Sequence, residues 1–307
     1  LRSGVLSYDK KNGYRGPEAF IKLPNDPNSA NEVIADKLSS VSDSLDILAG
    51  IVTKIEKSKI TVSRGENKPI ILKRSNTKFA EKFFTKQTPQ KKRIRRGSLI
   101  RIKPSNENNK EYEITQLPEA QAALVAVQTN NGAIRALVGG FDFQSNKYNR
   151  VTQAYRQPGS AIKPFIFGAA LEKGFSPKTL INDLPINFSP ESTGGTLWEP
   201  KNFNNLYLGP ISMKEALTKS QNMVSIRIVK KITPKFSQDY ISRFGFEAKK
   251  NPPLFSLALG AGAITPLQLV AGYSSIANGG FFIKPYFIDR ILDYSGNLVR
   301  RYEPLLA

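Results

Sequence analysis

The stretch RQPGSAIKPFIFGAALEKG, residues 156–174, reads as a turn that opens a buried helix. Gly159 ends the turn, Ser160 opens the helix, and the apolar run that follows buries it through to Glu172. Pro164 falls in the first helical turn, where a missing N–H costs little. Ser160 then sits at the positive end of the helix dipole, which stabilises developing negative charge, and the Ser-x-x-Lys spacing brings Lys163 to the same face one turn on. An amine becomes a usable base only when its surroundings lower its pKa from ~10.4 toward neutrality. Ile162, Phe165 and Ile166 are placed to supply that desolvation. The same letters also fit a serine N-cap followed by a surface lysine.

The 307 residues contain no histidine and no cysteine, which excludes a Ser-His-Asp triad, a Cys-His dyad and any zinc site built on imidazole or thiolate. A base must then be a lysine, a carboxylate or a tyrosine. Ser-x-x-Lys also occurs at 7–10 and 75–78, but without helical periodicity around it. A second element, ISMKEALTKSQNMVSIRIVKKI (211–232), has Ser220-Gln221-Asn222 between two helical stretches, Ser212–Ser220 and Met223–Lys231. Buried between helices, such a hydroxyl and amide need polar partners or cost about 1–3 kcal/mol each, and a catalytic cleft supplies partners. A helix-turn-helix joint capped by Ser220 fits the same residues. The other Ser-x-Asn copies, 29–31 and 295–297, lie in turn-like sequence.

Between these elements and the N-terminus, AALVAVQT (122–129) and AIRALVGG (133–140) flank Asn130-Asn131-Gly132, a strong hairpin signal. With the helical pattern at Pro266–Ala277, a hairpin feeding several helices predicts an α/β (α+β) domain over 118–307. Residues 46–117 alternate in short runs, among them ILAGIVTKIEKSKITVSR, KPIILKR, GSLIRIKP and KEYEITQL, and predict a small β-barrel of about five strands. Residues 1–45, rich in Gly, Pro, Asn and Ser, read as a linker with one helix around Val33–Leu48. The chain carries a net charge of +20, and 46–117 holds 18 basic against 7 acidic residues, so an anionic partner meets this segment first. No apolar run of about 18 residues occurs and LRSGVLSYDK has no signal-peptide pattern, so a targeting or anchoring segment is expected upstream.

Together the Ser-x-x-Lys and Ser-x-Asn elements resemble the penicillin-binding and serine β-lactamase superfamily, whose third motif is Lys-Thr-Gly. ALVGGFDFQSNKYNRVTQAYRQPGSAIKPF (136–165), LWEPKNFNN (197–205), GPISMKEALTKSQN (209–222) and PLQLVAGYSSIANGGFFIKPYFI (266–288) resemble the class A penicillin-binding proteins, and GYRGP (13–17) their inter-domain link. The resemblance implies a peptidoglycan D,D-transpeptidase: Ser160 attacks the D-Ala-D-Ala carbonyl of a stem peptide, Lys163 takes its proton, Ser220 protonates the leaving group and Asn222 holds the substrate amide. β-Lactams would acylate the same serine, and no cofactor or metal is called for. The 46–117 segment matches in position an OB-like insertion that docks an outer-membrane lipoprotein activator in 1A-type members, and the implied location is the periplasmic face of the bacterial inner membrane. No Lys-Thr-Gly, Lys-Ser-Gly or Arg-Thr-Gly is present, so the expectation is an incomplete transpeptidase domain, its third motif and the glycosyltransferase domain outside this sequence. Two other readings are a non-catalytic β-lactam-sensing or scaffolding domain, and a nucleic-acid-binding OB module. Against the latter, Phe79, Phe83, Phe84 and Tyr112 are the main aromatics available for base stacking, and no nucleic-acid partner is expected.

Overall fold

Six short strands build the first part of the chain: β1 (Ala19–Phe20), β2 (Leu48–Ile55), β3 (Lys59–Ser63), β4 (Ile70–Lys73), β5 (Ser98–Pro104) and β6 (Tyr112–Thr115). They appear in a computed structural model of the chain, which describes residues 1–65, 68–105, 111–190 and 197–303. Lys110, which begins the KEYEITQL run, and the last four residues lie outside the described residues. By internal contacts the chain divides into two units, Leu1–Ala123 with Gly140–Tyr148, and Leu124–Gly139 with the residues from Asn149 onward.

In the first unit all the strands pair antiparallel in the order β1-β5-β2-β3-β4, with β6 also on β5. The period-2 alternation of β5 sends Leu99 to one face, where Ile51, Ile34 and Leu23 bury it, and Ile100 and Ile102 to the other, with Val52, Ile60, Val62 and Leu72. Ile34 belongs to the helix α2 (Pro27–Ser39), preceded by α1 (Arg2–Lys11). The helix expected around Val33–Leu48 thus starts earlier, because Asp26 caps it by accepting from Ser29 N and Oγ, both 2.8 Å, and Pro27 opens it. Leu48 already belongs to β2.

The barrel expected here is an open sheet: among the described residues no ladder joins β4 to β1 or β6. A 3-10 segment, Arg74–Phe84, leaves β4 and lines that gap. Asn76 Nδ2 donates to Tyr112 O at 3.2 Å, Lys73 pairs with Glu111, and Phe79, Phe83 and Phe84 pack with Tyr112 against the core. Tyr14 meets Phe79 and Phe83 edge-on, so these aromatics serve the core.

The second unit opens with the hairpin read from Asn130-Asn131-Gly132, β7 (Leu124–Val127) against β8 (Ile134–Val138), with Gly132 in the left-handed region at φ 78°. After the short α3 (Arg150–Gln153), the helix α4 (Lys163–Glu172) is buried on nearly all sides. Phe165 meets Phe244, Phe246 and Tyr273 edge-on at 4.9, 4.9 and 5.2 Å. Around it lie β9 (Leu180–Asp183) paired with β10 (Gly209–Ser212), and the helices α5 (Met213–Thr218), α6 (Asn222–Ile232), α7 (Pro234–Ser242) and α8 (Pro266–Ala277). α6 turns Met223, Val224, Ile226, Val229 and Ile232 into the same core as Ile166 and Ala170. The four helices expected here are present, the first preceded by a 3-10 turn, Gly159–Ile162. The architecture is a mixture of helix and strand, as α/β (α+β) implies.

Gly97 tests the first unit. Its φ is 89°, and a Cβ there would lie 2.0 Å from Ile21 O, whereas Gly13, at φ 83°, has open space around it. Gly97→Ala is expected to destabilise by more than ~2 kcal/mol and Gly13→Ala by only ~1 kcal/mol, in chemical denaturation. Equal effects would show that the contact with Ile21 carries no weight.

Candidate active site

Ser160 stands in the 3-10 turn that leads into α4, and its side chain is exposed. The approach to it is held by the segment 260–264. Arg156 and Ile264 exchange both backbone hydrogen bonds at 3.0 Å, and Gln157 Nε2 donates to Ala261 O at 3.2 Å. Gly260, at φ 69°, lies so close that a Cβ on it would sit 2.2 Å from Gly159 O. On the other side Tyr273 Oη donates to Ala161 O at 2.9 Å. Among the described residues the Ser160 hydroxyl has no hydrogen-bond partner, so a free oxygen sits on a backbone pinned from two sides.

Lys163 begins α4 and is 1% exposed. Its Nζ donates to Ser220 O at 2.6 Å, to Ser220 Oγ at 3.0 Å and to Asn222 Oδ1 at 2.7 Å. Burial lowers its pKa from 10.5 to about 8. The structure therefore joins three of the four residues singled out from the sequence, Lys163, Ser220 and Asn222. It places the fourth, Ser160, three residues before Lys163 without a hydrogen bond between hydroxyl and amine.

Ser220 occupies a backbone position that glycine usually fills. Its φ is 55°, in the left-handed region. Ser220 N donates to Leu217 O at 3.0 Å and Gln221 N to Ala216 O at 2.9 Å, the paired bonds of a Schellman turn that ends α5. A side chain held there costs about 1 kcal/mol relative to glycine, so the hydroxyl is present despite the backbone and not because of it. Gln221 then precedes α6, and Asn222 is its first residue. Asn222 Nδ2 donates to Lys201 O at 2.8 Å, while its own N–H donates to Asn202 Oδ1 at 2.9 Å. Lys201 and Asn202 lie in the LWEPKNFNN stretch but are not singled out by the sequence: they touch Asn222 across some twenty residues, and a polar contact at that distance leaves no periodic trace.

The model of the penicillin-binding protein transpeptidase domain matches residues 122–304, and that of the penicillin-binding protein OB-like domain matches residues 14–120. Penicillin-binding protein 1A of Neisseria lactamica is 40% identical over 308 residues, covering 100% of this chain and 38% of the relative. That of Pseudomonas aeruginosa is 38% identical over 310 residues, covering 99% and 37%. The chain thus spans about two fifths of the length of the curated relatives it matches. The crystal structure of penicillin-binding protein 1A from Haemophilus influenzae superposes with a TM-score of 0.84 at 32% identity, over 100% of this chain and 44% of that one. The PonA1 protein of Mycobacterium tuberculosis, solved in complex with penicillin V, gives 0.52 at 25% identity over 60% of this chain and 51% of its own.

Ser220→Gly separates what the backbone wants from what the site uses. The glycine relieves ~1 kcal/mol of backbone strain but withdraws one oxygen from the buried Lys163 amine, so the substitution is expected to leave stability within about 1–2 kcal/mol of the parent while slowing acylation of the protein by a fluorescent penicillin by tenfold or more. Unchanged acylation in the folded variant would remove Ser220 from the chemistry.

Proposed function

We propose that this chain, which belongs to the penicillin-binding protein transpeptidase family, cross-links peptidoglycan stem peptides through an acyl-enzyme on Ser160. The observation that carries this reading is the buried Lys163 amine: it is held by Ser220 and Asn222 at the foot of the helix that Ser160 precedes, with its pKa drawn down to about 8. A lysine in that state has a neutral fraction near physiological pH, and with histidine absent it is the candidate base, three residues on from the serine.

In this reading neutral Lys163 takes the Ser160 hydroxyl proton as Oγ attacks the carbonyl between the two terminal D-alanines. The carbonyl oxygen becomes an oxyanion, received in part by the Ser160 backbone N–H at the positive end of the helix. As the C–N bond breaks, a proton passes from Lys163 through the Ser220 hydroxyl, 3.0 Å away, to the departing D-alanine amine. An amine of a neighbouring stem peptide then attacks the ester, gives up its proton to the site and leaves Ser160 free. Asn222 orients the substrate amide while its Oδ1 steadies Lys163. β-Lactams enter the same cycle at the first attack.

The remaining assignments follow the resemblance. Residues 118–307 form the transpeptidase region, and 46–117 an OB-like insertion that receives an outer-membrane lipoprotein activator. The chain works at the periplasmic face of the inner membrane. Among the described residues no helix is long and apolar enough to cross a membrane.

Two measurements test the chemistry. A fluorescent penicillin should label the intact natural protein covalently, and Ser160→Ala should abolish the label while leaving the thermal unfolding midpoint in place. Persistent labelling of that variant would move the nucleophile elsewhere. Because only the neutral amine accepts the proton, the acylation rate should rise roughly tenfold per pH unit below about 8 and level off above it. A flat profile from pH 6 to 9.5 would reject Lys163 as the base.

A further inference from the structure

An α-helix leaves its first N–H groups without intrahelical partners, and the residue before it usually supplies the missing acceptor. At α6 it does not: Gln221 makes no side-chain hydrogen bond to the first turn. The place of a local cap is taken by the middle residue of the Ser220-Gln221-Asn222 turn, so the acceptor has to come from elsewhere in the chain. It comes from Asn202, on the connection between β9 and β10, whose Oδ1 accepts from Asn222 N at 2.9 Å and Met223 N at 3.2 Å.

Asn202 is itself fixed from behind. It is 2% exposed, and its Nδ2 donates to both oxygens of Asp183, at 2.9 and 3.1 Å, and to Leu206 O at 2.9 Å. Asp183 ends β9, is fully buried, and also accepts from Leu208 N at 3.1 Å. Both Asp183 oxygens accept from the Asn202 amide, so its NH₂ turns to Asp183 and its carbonyl oxygen to the helix. The neighbouring Lys201 carbonyl treats Asn222 in the same way. By accepting from Nδ2 it leaves Oδ1 as the end that meets Lys163. The dipeptide 201–202 therefore holds Asn222 by its main chain and its side chain at once.

We propose that Asn202, anchored by Asp183, is a positioning residue of this site, setting the start of α6 and through it the contact between Asn222 and Lys163. The inference rests on the serine–lysine reading above. It assigns Asn202 no contact with substrate, and its effect on the reaction passes through Asn222.

The test is a double-mutant cycle on the rate of acylation by a fluorescent penicillin, with Asn202→Ala, Asn222→Ala and the double variant made in the intact natural protein, and rates referred to the fraction that can be titrated. Asn202→Ala is expected to slow acylation about tenfold, and the double variant to be no slower than Asn222→Ala alone, because the second loss is already contained in the first. Asn202→Asp combined with Asp183→Asn exchanges the two ends, keeps an oxygen for both N–H groups and an NH₂ facing it, and should recover to within about threefold of the parent. Asn202→Ser withdraws the carbonyl from α6 but leaves a hydroxyl near Asp183, and takes the place of the alanine variant in the cycle if that variant does not fold. Losses that multiply in the double variant, or an exchanged pair as slow as Asn202→Ala, overturn the positioning role while Ser160-dependent labelling stands. Labelling that survives Ser160→Ala overturns the serine–lysine reading and this inference with it.

Discussion

An ammonium group placed where water cannot reach it is the constraint around which the second unit is organised. Lys163 is 1% exposed, and drawing its amine from 10.5 to about 8 corresponds to about 3 kcal/mol of preference for the neutral form. The folded state releases that proton more readily than the unfolded chain, so the cost to folding is fully present below pH 8 and fades as the pH rises from there toward 10.5. Three oxygens limit this cost without removing it. They come from Ser220 and Asn222, which is why the turn between α5 and α6 has to be where it is. The apolar packing of α4 and α6 supplies the burial, and the polar turn makes that burial tolerable.

Local conflicts gather at that turn. A serine stands where a Schellman turn favours glycine, and a helix begins without its own cap. Sequences normally agree with their fold at every level, and departures concentrate where a site needs particular side chains. Here the residue that would have been a cap is part of the Ser-x-Asn element. The deficit is met from the β9–β10 connection, by an asparagine whose orientation is dictated by a buried carboxylate.

Elements with short-range punctuation were legible in the sequence. Asn-Gly marks the β7–β8 hairpin, and α8 begins and ends at the expected Pro266 and Ala277, where Thr265 and Gln268 form a capping box. The same rules place Ser160 and Lys163 together at a helix start, although i,i+3 spacing cannot distinguish the 3-10 turn at Gly159–Ile162 from the α-helix that follows. What failed was non-local. Alternating strands announce a sheet but not whether it closes, and the 3-10 segment that lies beside β4 has no strand signal to lose. The first helix, Arg2–Lys11, contains Gly4 and opens on Leu1 without a cap, so nothing nearby declares it. At the site, Lys163, Ser220 and Asn222 carry recognisable spacing, whereas Asn202 and Asp183 belong to it only through tertiary contact.

The close approach of Gly260 to Gly159 narrows the routes by which selection can reshape this pocket. A target under antibiotic pressure changes by accumulating substitutions that hinder the drug and spare the substrate. At position 260 every other side chain would begin 2.2 Å from the carbonyl that precedes Ser160, so it would displace the backbone that carries the proposed nucleophile. On the proposed reading, substitution there harms the substrate reaction as much as the drug's, and an inhibitor that leans on the backbone of this segment meets a surface poorly able to be revised.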